Sequence, residues 1–162
     1  MRVDYRWLAA LLVALTTAIT AFADDELAPW GRASAGDGAY TPQKVVYDVA
    51  VADADAFGHV VDRVSYLNNL YRADPFRASI VVVLHGDEIP LFAVENLDDN
   101  EALMRRAQSL TVAGPIEFRI CTQAARGHGL EPNDIHGFVT MVPMADAEIV
   151  KLQREENYAY MR

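Results

Sequence analysis

The sequence predicts an α/β domain of three layers, with helices on both faces of a mostly parallel sheet of four to five strands. Short β-rich runs alternate along the chain with segments of helical period, and strands separated by helices need crossover connections, which make neighbouring strands parallel. The run Ala78 to Leu84 is almost continuously apolar, as is typical of a central strand covered on both faces.

Residues 1–23 are predicted to be a signal peptide. Arg2 and Arg6 give the chain a basic start, and Ala21-Phe22-Ala23 matches an A-x-A cleavage pattern. The apolar run between them, Trp7 to Phe22, is shorter than the roughly 20 residues of a usual membrane-spanning helix, so an uncleaved anchor is the lesser alternative. We therefore expect cleavage after Ala23 and a periplasmic or otherwise exported protein.

Without the signal peptide, 162 − 23 = 139 residues remain, enough for one domain with a proper core. Residues 24–43 mix acidic residues with Pro and Gly and show neither helical nor strand period, which predicts a flexible leader before a domain at residues 44–162. Removing Arg2, Arg6 and Asp4 from 14 basic and 23 acidic residues leaves 12 and 22, a net charge of −10. That charge disfavours nucleic acid and anionic membrane surfaces as partners.

The first half of the domain is expected to contain two strands and two helices. Lys44 to Val51 is β-rich, and Asp53 and Asp55 can cap the helix that follows and ends near Asp74-Pro75. The apolar strand at Ala78 ends in His85-Gly86. Asp98 and Glu101 then resemble a capping box for a helix that ends before Gly114-Pro115.

The second half is expected to hold two further strands, each followed by a helix. Ile116 to Ile120 is a strand that leads into Cys121, and a short helix follows from about Thr122 to His128. Phe138 to Val142 is the fourth strand, and Ala145 to Met161 is a final helix.

Cys121 is the single cysteine of the chain, which is notable in a protein expected to meet oxidising conditions. Three interpretations stay open: a buried inert thiol, a bridge to another chain, or a group kept for its chemistry. Its predicted position, where a strand passes into a helix, favours the thiolate, because free N–H groups and the helix dipole stabilise negative charge there.

Sites in parallel sheets form at the carboxyl ends of the strands, where His85 and Cys121 both fall. His85 could orient or protonate a group near the thiol, or it could be a hydrogen-bonded strand end without a chemical role. Arg126, one turn beyond Cys121, could add positive potential, or it could simply be solvated.

Other chemistries lack the residues that they need. The chain has no C-x-x-C pair, and its four histidines show no zinc-helix spacing, so a metal site is not expected. The loop Ala52 to Asp55 is acidic and lacks the glycines of a phosphate-binding loop, so a nucleotide or flavin cofactor is not expected either. Ser65 and Ser109 lack the G-x-S-x-G setting of a hydrolase nucleophile.

The segment Gly114 to Leu130, with Cys121 at its centre, resembles the DsrE/DsrF-like sulfur-relay family. The strand ending in His85-Gly86 and the tail Leu152-Gln153 with Tyr158-Ala159-Tyr160 resemble it too, so the likeness spans about residues 44–162. Two features depart from the family's usual pattern: Asn157 stands where a glycine is usual, and Met-Ala-Asp follows Pro143 in place of a small Ser-Gly turn.

The resemblance implies a parallel α/β/α domain of the flavodoxin-like class, assembly into trimers or hexamers, and transfer of sulfane sulfur through a persulfide on Cys121. The leading hypothesis is an exported sulfur carrier, acting by sulfur transfer rather than by multi-turnover catalysis, which hands sulfur to a partner protein or a small thiol. Arg126 and the helix start would favour the thiolate, and His85 would assist. The alternatives are a non-catalytic oligomeric binding module and a thiol redox sensor.

Overall fold

The computed structural model describes residues 28–162, except for the side chain of Ala113. The predicted signal peptide and the first four residues of the predicted leader lie outside the described residues. Residues Tyr40–Arg162 form one compact unit, and residues 28–39, which belong to another, contain neither helix nor strand. Within residues 28–162, no helix has both the length and the apolar character needed to cross a bilayer.

The compact unit is built on a sheet of five parallel strands, which confirms the predicted fold class. The strands lie in the order β4-β3-β2-β1-β5. Their bounds are Gln43–Val49 (β1), Ala78–Leu84 (β2), Ile116–Cys121 (β3), Val139–Val142 (β4) and Ala159–Met161 (β5). In the flavodoxin order, 2-1-3-4-5, β1 lies between β2 and β3. Here β1 lies between β2 and β5, because the last strand returns to the open side of β1.

Helices cover both faces of the sheet. They are Ala54–Leu70 (α1), Leu97–Ala113 (α2), Thr122–Gly127 (α3) and Ala145–Glu155 (α4), with short 3₁₀ turns at Ile89–Phe92, Val94–Asn96 and Pro132–Asp134. One face of the sheet packs in a single apolar cluster with α1 and α2, and the other face packs with α4. Alternate residues of β2 therefore enter opposite cores, which explains why the strand is apolar at nearly every position.

The core beneath α1 and α2 is dominated by phenylalanines. Phe57, Phe92 and Phe118 are almost completely buried, with ring centroids 5.1 to 6.3 Å apart and mostly edge-to-face. Burying such a side chain contributes roughly 1.5–3 kcal/mol. These rings fix α1 and the turn after β2 against the sheet.

Of the two helix starts predicted from capping residues, that of α1 agrees with the structure and that of α2 does not. Asp53 caps α1, since its carboxylate accepts a hydrogen bond from the backbone N–H of Ala56 at 2.8 Å, as predicted. The predicted capping box at Asp98 and Glu101 is wrong, because α2 begins earlier, after Asn96. Glu101 instead forms an ion pair with Arg105, one turn further along the helix.

The final helix was predicted too long. It ends at Glu155, and Asn157 takes a left-handed conformation with φ of 61°. The N–H of Tyr158 then donates to the carbonyl of Leu152 at 3.0 Å, and its side chain is buried. This turn delivers Ala159–Met161 to the edge of β1, where pairing with β1 replaces the helical hydrogen bonds.

Candidate functional site

Cys121 is the last residue of β3 and stands at the N-cap position of α3. Its side chain belongs to the apolar cluster on the α4 side of the sheet, and only 5% of the residue is exposed. The buried members of that cluster are Val46, Val81, Val83, Cys121, Ala145, Ile149, Leu152 and Tyr158. The thiol thus lies at a helix start, as predicted, but it is surrounded mainly by aliphatic side chains.

His85 comes directly after β2, beside Cys121. Leu84 pairs with Ile120 in the parallel register, so the next position along each strand places His85 and Cys121 side by side. Strand side chains alternate between faces. His85 follows Val81 and Val83 at intervals of two and therefore belongs to the α4 face, as Cys121 does. Within residues 28–162, no hydrogen bond joins the sulfur of Cys121 to His85.

The imidazole of His85 is held by a carboxylate of the neighbouring strand. Its Nε2 lies 2.6 Å from Oδ1 of Asp48, which stands near the end of β1. The second carboxylate oxygen, Oδ2, accepts a hydrogen bond from the hydroxyl of Tyr160 on β5. Asp48, His85 and Tyr160 thus form a chain of hydrogen bonds across three adjacent strands, and we call it the Asp48 chain.

The Asp48 chain shifts the titration of two of its members. Burial opposes ionisation of Asp48, but hydrogen bonds from Tyr160 and His85, with the charges of His85 and Arg162, outweigh burial, so the pKa of Asp48 lies below its ordinary value. The hydrogen bond to Asp48, with some desolvation and the negative charge of the carboxylate, raises the pKa of Tyr160. Near neutral pH the pair therefore consists of a carboxylate and a neutral phenol.

A cavity of about 150 Å³ lies beside the Asp48 chain, between α1 and the end of β1. Arg63 of α1 lines it, with its guanidinium 5.4 Å from the ring centre of Tyr47 and within 3.4 Å of the carbonyl oxygen of Arg162. Asp48 and His85 also line this cavity, and their side chains are 21% and 29% exposed.

The backbone at this edge is fixed by a buried carboxylate. Glu88 is completely buried, and its two carboxylate oxygens accept the backbone N–H groups of Gly86 at 3.0 Å and Val51 at 2.8 Å. Gly86 packs closely on the chain that leaves β1, since a Cβ there would lie 2.6 Å from Cα of Ala50. The ends of β1 and β2 are therefore locked together next to His85.

The arginines around Cys121 are already paired with carboxylates. Arg126 lies in the last turn of α3, away from the helix start, and its side chain is 53% exposed and forms an ion pair with Glu131 at 3.2 Å. Arg119 lies two residues before Cys121 and bridges Glu117 and Glu148. Burial works against the charged form of Arg119, but these two carboxylates outweigh it and raise its pKa. Of the predicted site residues, Cys121 and His85 occupy adjacent positions at the ends of β3 and β2, whereas Arg126 lies at the end of α3 and is paired with Glu131.

Among the described residues, no group of three or more His, Cys, Asp or Glu side chains is arranged to hold a metal ion. The reactive groups that the structure places at this edge of the sheet are a thiol, an imidazole and a carboxylate.

Sequence reasoning missed Asp48 and Tyr160. One signal was present: Asp48 is an acidic residue within an apolar strand, three positions before the predicted strand end at Val51. Its partners lie 37 and 112 residues away, so their contact depends on the strand order.

Comparison with known proteins supports the fold alone. No protein-family model matches the chain, and no curated protein does so either. A solved structure, that of the protein of unknown function MTH1491 from Methanobacterium thermoautotrophicum, is similar with a TM-score of 0.60 and 24% identity. The match covers 74% of this chain and 98% of that protein. At this identity the similarity extends to the α/β architecture and no further.

Proposed function

We propose that this protein is an exported sulfur carrier that holds sulfane sulfur as a persulfide on Cys121 and passes it to a partner protein or a small thiol. The proposal depends mainly on one observation: Cys121 stands at the N-cap position of α3, at the carboxyl edge of the sheet, beside a histidine that is held by a carboxylate. The DsrE/DsrF-like resemblance of the surrounding sequence agrees with it.

The sulfur transfer needs no cofactor. The thiolate of Cys121 attacks the outer sulfur of thiosulfate, a new S–S bond forms, and sulfite leaves with the electron pair of the broken bond. In the second step, the thiolate of an acceptor attacks the outer sulfur of the persulfide, and Cys121 departs as a thiolate. A polysulfide can serve as donor in the same way, with a shorter polysulfide as the leaving group.

The burial of Cys121 restricts the donor. Because only 5% of the residue is exposed, a bulky donor cannot reach the sulfur unless the covering side chains move. Small inorganic donors are therefore the first to test, and delivery by a partner protein would require an opening of the α4 side of the site.

The direct test is intact-mass spectrometry after exposure of the folded, reduced protein to thiosulfate or polysulfide. We expect a mass increase of one sulfur atom that is lost on addition of dithiothreitol and absent in Cys121→Ser. A wild-type protein that never gains this mass under native conditions would refute the proposal. The mass of the protein recovered from the periplasm tests export, with loss of residues 1–23 expected.

A second candidate is a non-catalytic oligomeric binding module, trimeric or hexameric, in which Cys121 serves only in packing. The aliphatic surroundings of Cys121 favour it. This candidate predicts that Cys121→Ala keeps the oligomer, measured by light scattering, and keeps the cellular phenotype. A redox sensor would instead form an intermolecular disulfide on a non-reducing gel, which a buried thiol disfavours.

A further inference from the structure

We propose that Asp48 and Tyr160 are positioning residues, which hold His85 as the proton acceptor for Cys121 and so make the reactivity of the thiol depend on β5. This inference rests on the proposed function in one respect only, that Cys121 reacts as a thiolate. It concerns how the thiolate forms, whatever the sulfur then receives.

The sheet places His85 next to Cys121, while Asp48 lies two residues back along the neighbouring strand, opposite Val83. Asp48 on β1 and Cys121 on β3 flank His85, which follows the central strand β2. Adjacent strands lie about 4.8 Å apart, so Cys121 is the neighbour of His85 on the β3 side, and the imidazole contacts Asp48 on the β1 side. Tyr160 reaches Asp48 from β5 on the outer side.

The hydrogen bond between Asp48 and His85 also determines which ring nitrogen of His85 carries the proton and which keeps a lone pair. An ionised carboxylate only accepts hydrogen bonds. Since the pKa of Asp48 lies below its ordinary value, Nε2 of His85 must be the protonated nitrogen that donates to Oδ1. In the neutral imidazole this leaves Nδ1 with a lone pair, and a histidine held in this way by a carboxylate is the arrangement that activates a thiol or hydroxyl nucleophile.

Proton transfer then balances without any other reactant. The proton of the Cys121 thiol moves to Nδ1 of His85, and the sulfur keeps the bonding electron pair. The resulting imidazolium lies against the carboxylate of Asp48, which the hydroxyl of Tyr160 holds in place. Loss of either hydrogen bond leaves the imidazole free to turn and the imidazolium less stabilised.

Other charged groups around the site are engaged elsewhere or lie further out. Arg119 is bridged to Glu117 and Glu148, the buried Glu88 accepts two backbone N–H groups, and His128 of the α3 end lies 3.9 Å from Asp87. Arg63 and Arg162 line the same cavity as Asp48 and His85, and the charge of Arg162 acts on Asp48. Asp48 is thus the carboxylate in direct contact with His85.

The test is the rate of Cys121 alkylation by iodoacetamide as a function of pH in the full-length folded protein. We expect a rate at neutral pH about 100-fold lower in His85→Gln and about tenfold lower in Asp48→Asn, with the Asp48→Asn profile displaced to higher pH. Tyr160→Phe should slow the reaction about threefold, a smaller loss because the carboxylate itself remains. Asp55→Asn and Tyr66→Phe, exposed residues of α1, are the matched controls and should leave the profile unchanged.

An Asp48→Asn profile that coincides with that of the wild type would overturn the inference. Tyr160 is 43% exposed, so Tyr160→Phe keeps the inference testable if Asp48→Asn fails to fold. A protein that gains no sulfur but whose alkylation slows in Asp48→Asn refutes the sulfur carrier and supports the positioning role. Sulfur gain with unchanged Asp48→Asn kinetics supports the carrier and overturns the positioning role.

Discussion

Replacement of Gly86 by alanine should separate the ends of β1 and β2 and destabilise the fold. A Cβ at this position would lie 2.6 Å from Cα of Ala50 and 2.8 Å from the backbone nitrogen of Val51, about 1 Å inside normal contact distances. Both of these atoms belong to the backbone, so no side-chain rotation can relieve the overlap. The new methyl group would also displace a carboxylate oxygen of Glu88, 2.6 Å away.

The cost has two parts. Forcing an extra methyl group into a packed site costs typically about 1–3 kcal/mol. Moving the Glu88 carboxylate weakens its hydrogen bond to Val51, and a hydrogen bond to a charged group contributes about 1.5–3 kcal/mol. Because the two parts share one displacement and the structure relaxes, we expect Gly86→Ala to lower the free energy of unfolding by about 2–4 kcal/mol.

Gly58→Ala provides a matched control of opposite sign. Gly58 lies inside α1, and a Cβ there would meet nothing within 4 Å. The substitution should therefore stabilise the protein by about 0.5–1 kcal/mol through helix propensity. Urea unfolding followed by circular dichroism measures both variants. A Gly86→Ala protein as stable as the wild type would show that the close approach of β1 and β2 is wrong.

Three further results are expected. Glu88→Gln should lower the free energy of unfolding, measured in urea, by about 1–3 kcal/mol. The amide has one accepting oxygen in place of two, so one of the two backbone N–H groups that Glu88 binds loses its partner. The control Glu95→Gln, at an exposed position, should have no effect. Because the pKa of Asp48 is lowered in the fold, its ionised carboxylate stabilises the protein above the ordinary carboxyl range, and this contribution is lost as pH falls below about 4. Asp48→Asn should therefore make the free energy of unfolding less dependent on pH in the acid range, and an unchanged dependence would contradict this. Arg119→Met leaves the half-buried Glu148 unpaired, so the free energy of unfolding, followed by thermal unfolding, should fall by about 1–3 kcal/mol. Adding Glu148→Gln to the same chain should restore part of this loss.

The fold was predictable where burial alone determines structure. The predicted bounds of β2, Ala78 to Leu84, agree with the structure because both faces of this strand are buried and every residue is apolar or small. The strand β5 was missed because its three residues are exposed and show no strand pattern. These residues are a strand because they pair with β1. The helical pattern of the residues before them gives no sign of that pairing.

The candidate site was predictable only in its local part. The position of Cys121 follows from the change of period between a strand and a helix within a few residues. The contact of His85 with Asp48 depends on which strands are neighbours, and that order is a property of the whole sheet. Arg126 was expected to add positive potential near the thiol, but the chain turns back after α3 and brings Glu131 to its guanidinium.

The most direct measurement is the rate of Cys121 alkylation at several urea concentrations below the unfolding transition. A thiol that reacts in the native state is labelled at a rate that stays nearly constant over this range and that falls in His85→Gln. A thiol that serves only in packing is labelled only when the protein unfolds globally, so its labelling rate rises with urea in proportion to the unfolded fraction. In that case His85→Gln changes the labelling rate only as far as it changes the stability of the protein. The second result would contradict a reactive Cys121.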